Sequence, residues 1–214
     1  GKPTDLPWGL EIDAEHRPFQ YLASGTFHPT FLYELVYDLA MAGALILGLW
    51  GHRPWAAEAN SSVSLLTFLA ALALTAHVVS MGPLTLLSEL LFVDAFNVFL
   101  VTLTAFVGFT TALFSRVYMR VEQERGKLSP ARLRLFHGMY QLFLFTMLLA
   151  LIANNIGILW VAMEAATLAT VLLVSLYRTP AGVEAVWKYF ILCGVGIAQA
   201  LFGTILLYLA AERV

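Results

Sequence analysis

Six apolar runs, at residues 31–50, 62–79, 90–114, 136–153, 156–177 and 187–211, take up most of this 214-residue chain. Each has about the 17 to 25 residues that an α-helix needs to cross the hydrocarbon core of a bilayer. Strands of a membrane barrel would instead show about ten residues of alternating polarity, and no such alternation occurs here. In hydrocarbon no water satisfies a backbone N–H or C=O, so a run of this kind closes its hydrogen bonds within itself. The predicted fold is all-α, a polytopic membrane protein of six transmembrane helices.

The rest of the composition narrows the function. Residues are 60% hydrophobic and 12% charged, against about 25% charged in soluble domains, so membrane lipids are the solvent for most of the chain. A net charge of -2 argues against a nucleic-acid partner. Cys193 is the single cysteine and lies inside an apolar run, which excludes an internal disulfide, a CxxC metal site and iron–sulfur ligation. We expect no metal and no cofactor on this chain. It starts at Gly1 with a polar, acidic stretch unlike a signal peptide, as expected of a fragment or of a fusion.

Arg116, Arg120, Arg125, Lys127, Arg132 and Arg134 are six of the twelve basic residues and fall between two apolar runs. The positive-inside rule places that loop, residues 115–135, in the cytoplasm. By alternation, the loops with Arg53 and Arg178 also fall inside, and the acidic start with Asp5, Glu11, Asp13 and Glu15 falls outside. Both termini are expected outside (N-out/C-out), in a multi-pass protein of a bacterial-type inner (cytoplasmic) membrane. The basic loop is read as a topology signal alone.

One carboxylate breaks the pattern. Glu164 stands near the middle of IGILWVAMEAATLATVLLVSLY, residues 156–177, where a charge costs at least about 2.5 to 3.5 kcal/mol on insertion scales. Acids so placed face a protein interior or a water cavity, and they commonly carry protons or ions. Desolvation favours the protonated form of a buried carboxyl, and an approaching cation favours the ionised form. The alternative is a glutamate that stays protonated and hydrogen-bonded between helices.

Lys188 is the cation within reach. Thr179-Pro180 reads as an N-cap followed by proline at the first helical position. Lys188 then lies one to two turns from Glu164 in depth, a gap that water or helix tilt could bridge. It could equally snorkel to the cytoplasmic surface. His77 and Asp94 are further proton-path candidates near the outer side. An interfacial imidazole needs no function, however, and the helix dipole accounts for an acid in a first turn. Asn97 can pair with Asp94. His137 opens the fourth run on the inside, with the same two readings as His77. Asn154-Asn155 is expected to form a tight turn, Gly194, Gly196, Ala198 and Ala200 to pack helices, and Cys193 to be a small buried residue.

The chain has a seam. Up to about Trp55 it is richer in Pro, His, Gly and acids, HRPWAAEANSS forms a polar linker, and almost everything after it is bilayer-grade. This suggests two units, 1–57 with one transmembrane helix and 58–214 with five. His28-Pro29-Thr30 reads locally as an entry turn to a helix, since Pro29 disfavours helix at His28 and Thr30 can cap. GKPTDLPWGLEID at 1–13 and HPTFLYE at 28–34 resemble prolipoprotein diacylglyceryl transferase over roughly residues 1–50. That resemblance implies that His28, Tyr33 and Glu34 are the remnant of a phospholipid site. The catalytic signature that precedes this stretch in the family is missing, so the transferase part is expected to be incomplete and inactive.

VDAFNVFLVTLTAFVG at 93–108, FSRVYM at 114–119, LIANNIGILWVAMEAATLATVLLVSLYRTP at 151–180 and EAVWKYFILCGVGIAQALFGTILLYLAA at 184–211 are similar to another family. They resemble antiporter-like membrane subunits of proton-pumping oxidoreductases, most closely the F subunit of hydrogenase-4, with kin in complex I and multisubunit sodium/proton antiporters. The resemblance implies a truncated proton-translocating module in which Glu164 matches the fifth-helix glutamate and Lys188 a lysine in Trp-Lys-Tyr-Phe. The family's seventh helix, with its channel lysine, has no counterpart. The implied partners are protons, lipids and the other membrane and peripheral subunits of a hydrogenase or complex-I-like assembly, which would hold all redox centres. Two alternatives stand beside this reading: a transferase fragment for phosphatidylglycerol-dependent lipoprotein modification, and a non-functional fusion of two gene fragments.

Overall fold

The computed structural model of the chain describes residues 10–11, 13, 23, 26–27, 41–44, 46–51, 53, 55–86, 90–177 and 179–211. A short antiparallel pair, β1 (Leu10–Glu11) with β2 (Thr26–Phe27), comes first. The apolar helix α1, Met41–Trp50, follows, and then α2, Ala56–Met81. A hairpin of β3 (Leu84–Leu86) and β4 (Leu91–Val93) leads to α3, Ala95–Glu124. The chain ends with α4 (Pro130–Ile152), α5 (Ile156–Val174, prolonged by a 3-10 turn over Ser175–Tyr177) and α6 (Pro180–Ala211).

Among the described residues five helices, α2 to α6, are long and apolar enough to cross a membrane. The architecture is therefore the expected all-α polytopic one. Of the sixth expected span, 31–50, the structure describes only the part from Met41 onward.

The helices outrun their apolar runs at one end of the bundle. α3 continues through Arg116 and Arg120 to Glu124, and α4 begins at Pro130 under a Ser129 cap, whose Oγ accepts from Arg132 N at 3.4 Å. The predicted loop 115–135 thus shrinks to residues 125–129, with Gly126 at φ +71° making the reversal. The reason is physical: once the backbone is helical it gains nothing by unwinding at the hydrocarbon boundary, and arginine is a good helix former. At the other end the third span starts later than expected. Leu91–Val93 pair in the hairpin, and the helix begins at Ala95. Asn154 N donates to Leu90 O at 2.8 Å, tying the turn between α4 and α5 to this hairpin.

α2 packs along α3, and α4 along α5. The core lies between α2, α3 and α4: Ala71, Leu74, Val78, Val98, Val101, Ala105, Leu144, Leu148 and Ile152 are all buried, capped by Leu91 and Val93 of the hairpin. Helix packing in lipid lacks a hydrophobic drive of its own, so close fit and internal hydrogen bonds carry it. Both are present. Thr75 and Thr102 hydroxyls meet at 2.5 Å across α2 and α3, and the Tyr140 hydroxyl of α4 donates to Gly108 O of α3. Gln141 Nε2 donates to Asn60 Oδ1 and Ser64 Oγ, each at 2.9 Å. α1 approaches α4 at backbone contact, since a methyl placed on Gly138 would lie 2.9 Å from Gly48 Cα.

Candidate functional site

α5 positions Glu164. Asn155 caps this helix, its Oδ1 accepting from Gly157 N at 2.9 Å and Ile158 N at 3.2 Å, so Asn154-Asn155 forms the expected turn. Small residues Ala162, Ala166 and Ala169 are buried and form one stripe at three- and four-residue spacing, where α5 packs on α4. At 3.6 residues per turn, Glu164 points about 160° away from Ala162. Its side chain is half-buried. Among the described residues no hydrogen bond or ion pair reaches its carboxylate.

Two contacts fix the register of α6 against α5. Trp160 Nε1 donates to Ile197 O at 3.0 Å, and Thr170 Oγ1 meets the Tyr189 hydroxyl at 3.2 Å. Glu164, between Trp160 and Thr170, is then level with Gly194, and Lys188, six residues earlier on α6, is offset from it by about 9 Å along the axis. The structure does not bring the two side chains together: Lys188 Nζ instead holds Glu184 Oε1 one turn away at 2.6 Å, an exposed pair. Pro180 opens α6 as expected, with Gly182 N donating to Thr179 Oγ1 at 3.1 Å.

The other sequence candidates separate clearly. Asp94 is the N-cap of α3: its Oδ1 accepts from Phe96 N at 3.0 Å and Asn97 N at 2.8 Å, while Asn97 Oδ1 accepts from Asp94 N at 2.7 Å. This reciprocal cap is the structural role weighed against the proton-path one, and Asn97 is the predicted partner. His77 is buried near the end of α2 that faces the hairpin, at the same end of the bundle as Asp94. His28, Tyr33 and Glu34 lie outside the described residues.

Gly194 and Gly196 differ from expectation. A methyl placed on either meets nothing within 4 Å, and Cys193 is only half-buried. None of the most apolar stretch of α6 is buried, because α5 is the one long helix against which it packs extensively.

Sequence reasoning named His137 but missed the polar group around Gln141 in the core. His137, Gln141, Asn60 and Ser64 are all at least 98% buried, and His137 and Gln141 are one turn apart on α4. Among the described residues Asn60 Nδ2, Gln141 Oε1 and His137 Nδ1 have no hydrogen-bond partner. Sequence offered a signal for part of this: polar residues at 60, 64 and 67 repeat at helical spacing on α2. Glu122 is a second omission, a buried carboxylate held by Lys127 at 3.2 Å and Arg125 at 3.9 Å at the end of α3. Among the described residues no His, Cys, Asp and Glu cluster is arranged to hold a metal ion.

Comparison with known proteins finds relatives of two different kinds. No family model matches the chain. Over 120 residues, 56% of the chain, it is 59% identical to a hydrogenase-4 component F homolog of Methylacidiphilum infernorum, of which it covers 25%. Over 55 residues it is 64% identical to the phosphatidylglycerol–prolipoprotein diacylglyceryl transferase of Cutibacterium acnes, and over 58 residues 53% identical to transferase 2 of Streptomyces coelicolor. These matches span 26% and 27% of this chain, and 18% and 16% of the relatives. Both resemblances read from the motifs are therefore present, and the chain spans a quarter or less of each of these relatives.

Proposed function

We propose that residues 58–214 are a proton-translocating module of a hydrogenase-4-like or complex-I-like membrane assembly, and that Glu164 carries the proton. The observation that supports this most is the position of Glu164: mid-span, half-buried, unpartnered among the described residues, and turned away from the face of α5 that packs on α4. A carboxyl so placed gains a proton when its surroundings are dry and loses it when a cation or water comes close. Lys188 is the cation assigned to it within the chain, on condition that it exchanges Glu184 for Glu164. An exposed pair of this kind contributes little, so the exchange costs little. Crossing about 9 Å takes the long lysine side chain together with a water or a small slide of α6.

His77 and Asp94 stand at the hairpin end, where a proton would leave or enter. The basic end is assigned to the cytoplasm and both termini to the outside, in a bacterial inner membrane. The similarity to a hydrogenase-4 F subunit supports the module reading, and residues 1–57 are assigned a scaffolding part, α1 packed on α4. The similarity of that segment to a diacylglyceryl transferase favours a second reading, a fusion of two gene fragments with no transport of its own.

In the assembled complex in proteoliposomes, Glu164→Gln should lower proton translocation by about 100-fold and lower electron transfer to the acceptor far less. Equal loss of both would remove Glu164 from the proton path. An assembly that pumps as well without this chain would favour the fusion reading.

A further inference from the structure

The basic end of the bundle carries a cavity of about 320 Å³ lined by Arg53, Arg116, Arg120, Gln123 and His137, with Ala57, Met119 and Leu133 completing it. Four segments contribute: the turn after α1, the start of α2, the end of α3 and the start of α4. We infer that this cavity binds the phosphate group of an anionic ligand, with the headgroup of an anionic phospholipid in the adjoining leaflet as its source.

Charge is the first argument. Three guanidinium groups converge and one carboxylate opposes them: Glu58 holds Arg116 at 2.8 Å and stands 3.8 Å from Arg120. Arg53 has no ion pair among the described residues. Guanidinium forks match phosphate oxygens two at a time. The second argument is depth: His137, 98% buried, is among the lining residues. The volume is far larger than one water needs.

The level of the cavity selects the source. Trp50 and Trp55 are half-exposed around this end, and the hydroxyls of Tyr118 and Tyr177 meet there at 3.0 Å. Tryptophan and tyrosine mark the headgroup level of a bilayer, and basic pockets between helices at that level suit anionic headgroups. The basic residues at this end are then more than a topology signal, because three of the cations in the chain face one cavity.

The test uses the full chain, purified in detergent and stripped of lipid, with its thermal unfolding midpoint followed against three ligands. Short-chain phosphatidylglycerol should raise the midpoint by about 3 °C near saturation. Short-chain phosphatidylcholine, whose choline carries a positive charge, should leave it in place. Inorganic phosphate separates the sources: a rise equal to that with phosphatidylglycerol would make a free anion the ligand, and none would make it the lipid. Arg53→Gln combined with Arg120→Gln should abolish the rise. Glu58→Gln, which removes the competing carboxylate, should shift half-saturation to about threefold less ligand, an effect no structural defect would produce. The inference is overturned if neither phosphatidylglycerol nor phosphate moves the midpoint, if phosphatidylcholine acts as well as phosphatidylglycerol, or if the rise survives in the double variant.

Discussion

α4 and α6 are both apolar enough to cross a membrane, yet they are built for different surroundings. α4 is clamped on all sides: α1 meets it at Gly138, α3 through Tyr140 and Leu144, α2 through Gln141, and α5 along its length. α6 touches α5 through Trp160 and Tyr189 and leaves Gly194, Gly196 and Gly203 in the open. The polar atoms of α4 are internal and serve packing. Those of the α5–α6 pair, Glu164 and Lys188, lie where packing does not need them. The difference teaches that close packing and mid-span charge have parted in this bundle, with a stitched scaffold on one side and a loosely held pair of helices on the other.

The largest effect that would break this comparison is at Gly138. A Cβ there meets Gly48 backbone at 2.9 Å, so Gly138→Val must part α1 from α4 and should destabilise by about 3 kcal/mol, read as the unfolding free energy in mixed detergent. A loss under about 0.5 kcal/mol would mean that α1 does not belong to the scaffold. Next comes Asp94→Ala, which removes the α3 cap and should cost about 1 kcal/mol. Asp94→Asn keeps a capping oxygen and should cost less. The same assay, run with a proton-flux measurement, separates the capping role from a proton-path role, which the asparagine variant would abolish while keeping the cap.

The smallest effect sharpens the comparison from the other side. Gly194→Ala meets nothing within 4 Å and removes a flexible residue from a helix interior, so it should leave stability unchanged or raise it by about 0.5 kcal/mol. A clear loss would show that α6 packs more tightly than it does against α5 alone.

Much of the scaffold was legible in the chain, for one reason. Bilayer thickness fixes the length of an apolar run, so 62–79, 136–153 and 156–177 mark their helices almost directly. The ends were harder, since hydropathy stops at the hydrocarbon boundary while hydrogen bonding does not. Thr179-Pro180 revealed the start of α6, and Ser129-Pro130 carried the same signal for α4 beside a basic stretch that drew attention to topology instead. Glu164 was legible because a charge in lipid stands out by composition alone. Gln141 and Asn60 were not, because they pair across two helices, and no spacing in the chain shows that a polar side chain at 141 meets one at 60.

Whether Glu164 gains and loses a proton is the central question, and infrared difference spectroscopy of the assembled complex under turnover answers it most directly. The account predicts a protonated-carboxyl stretching band that rises and falls with turnover, moves in D2O, and is absent from Glu164→Gln. A spectrum in which no carboxyl band changes, or in which the changing band survives that substitution, would contradict it.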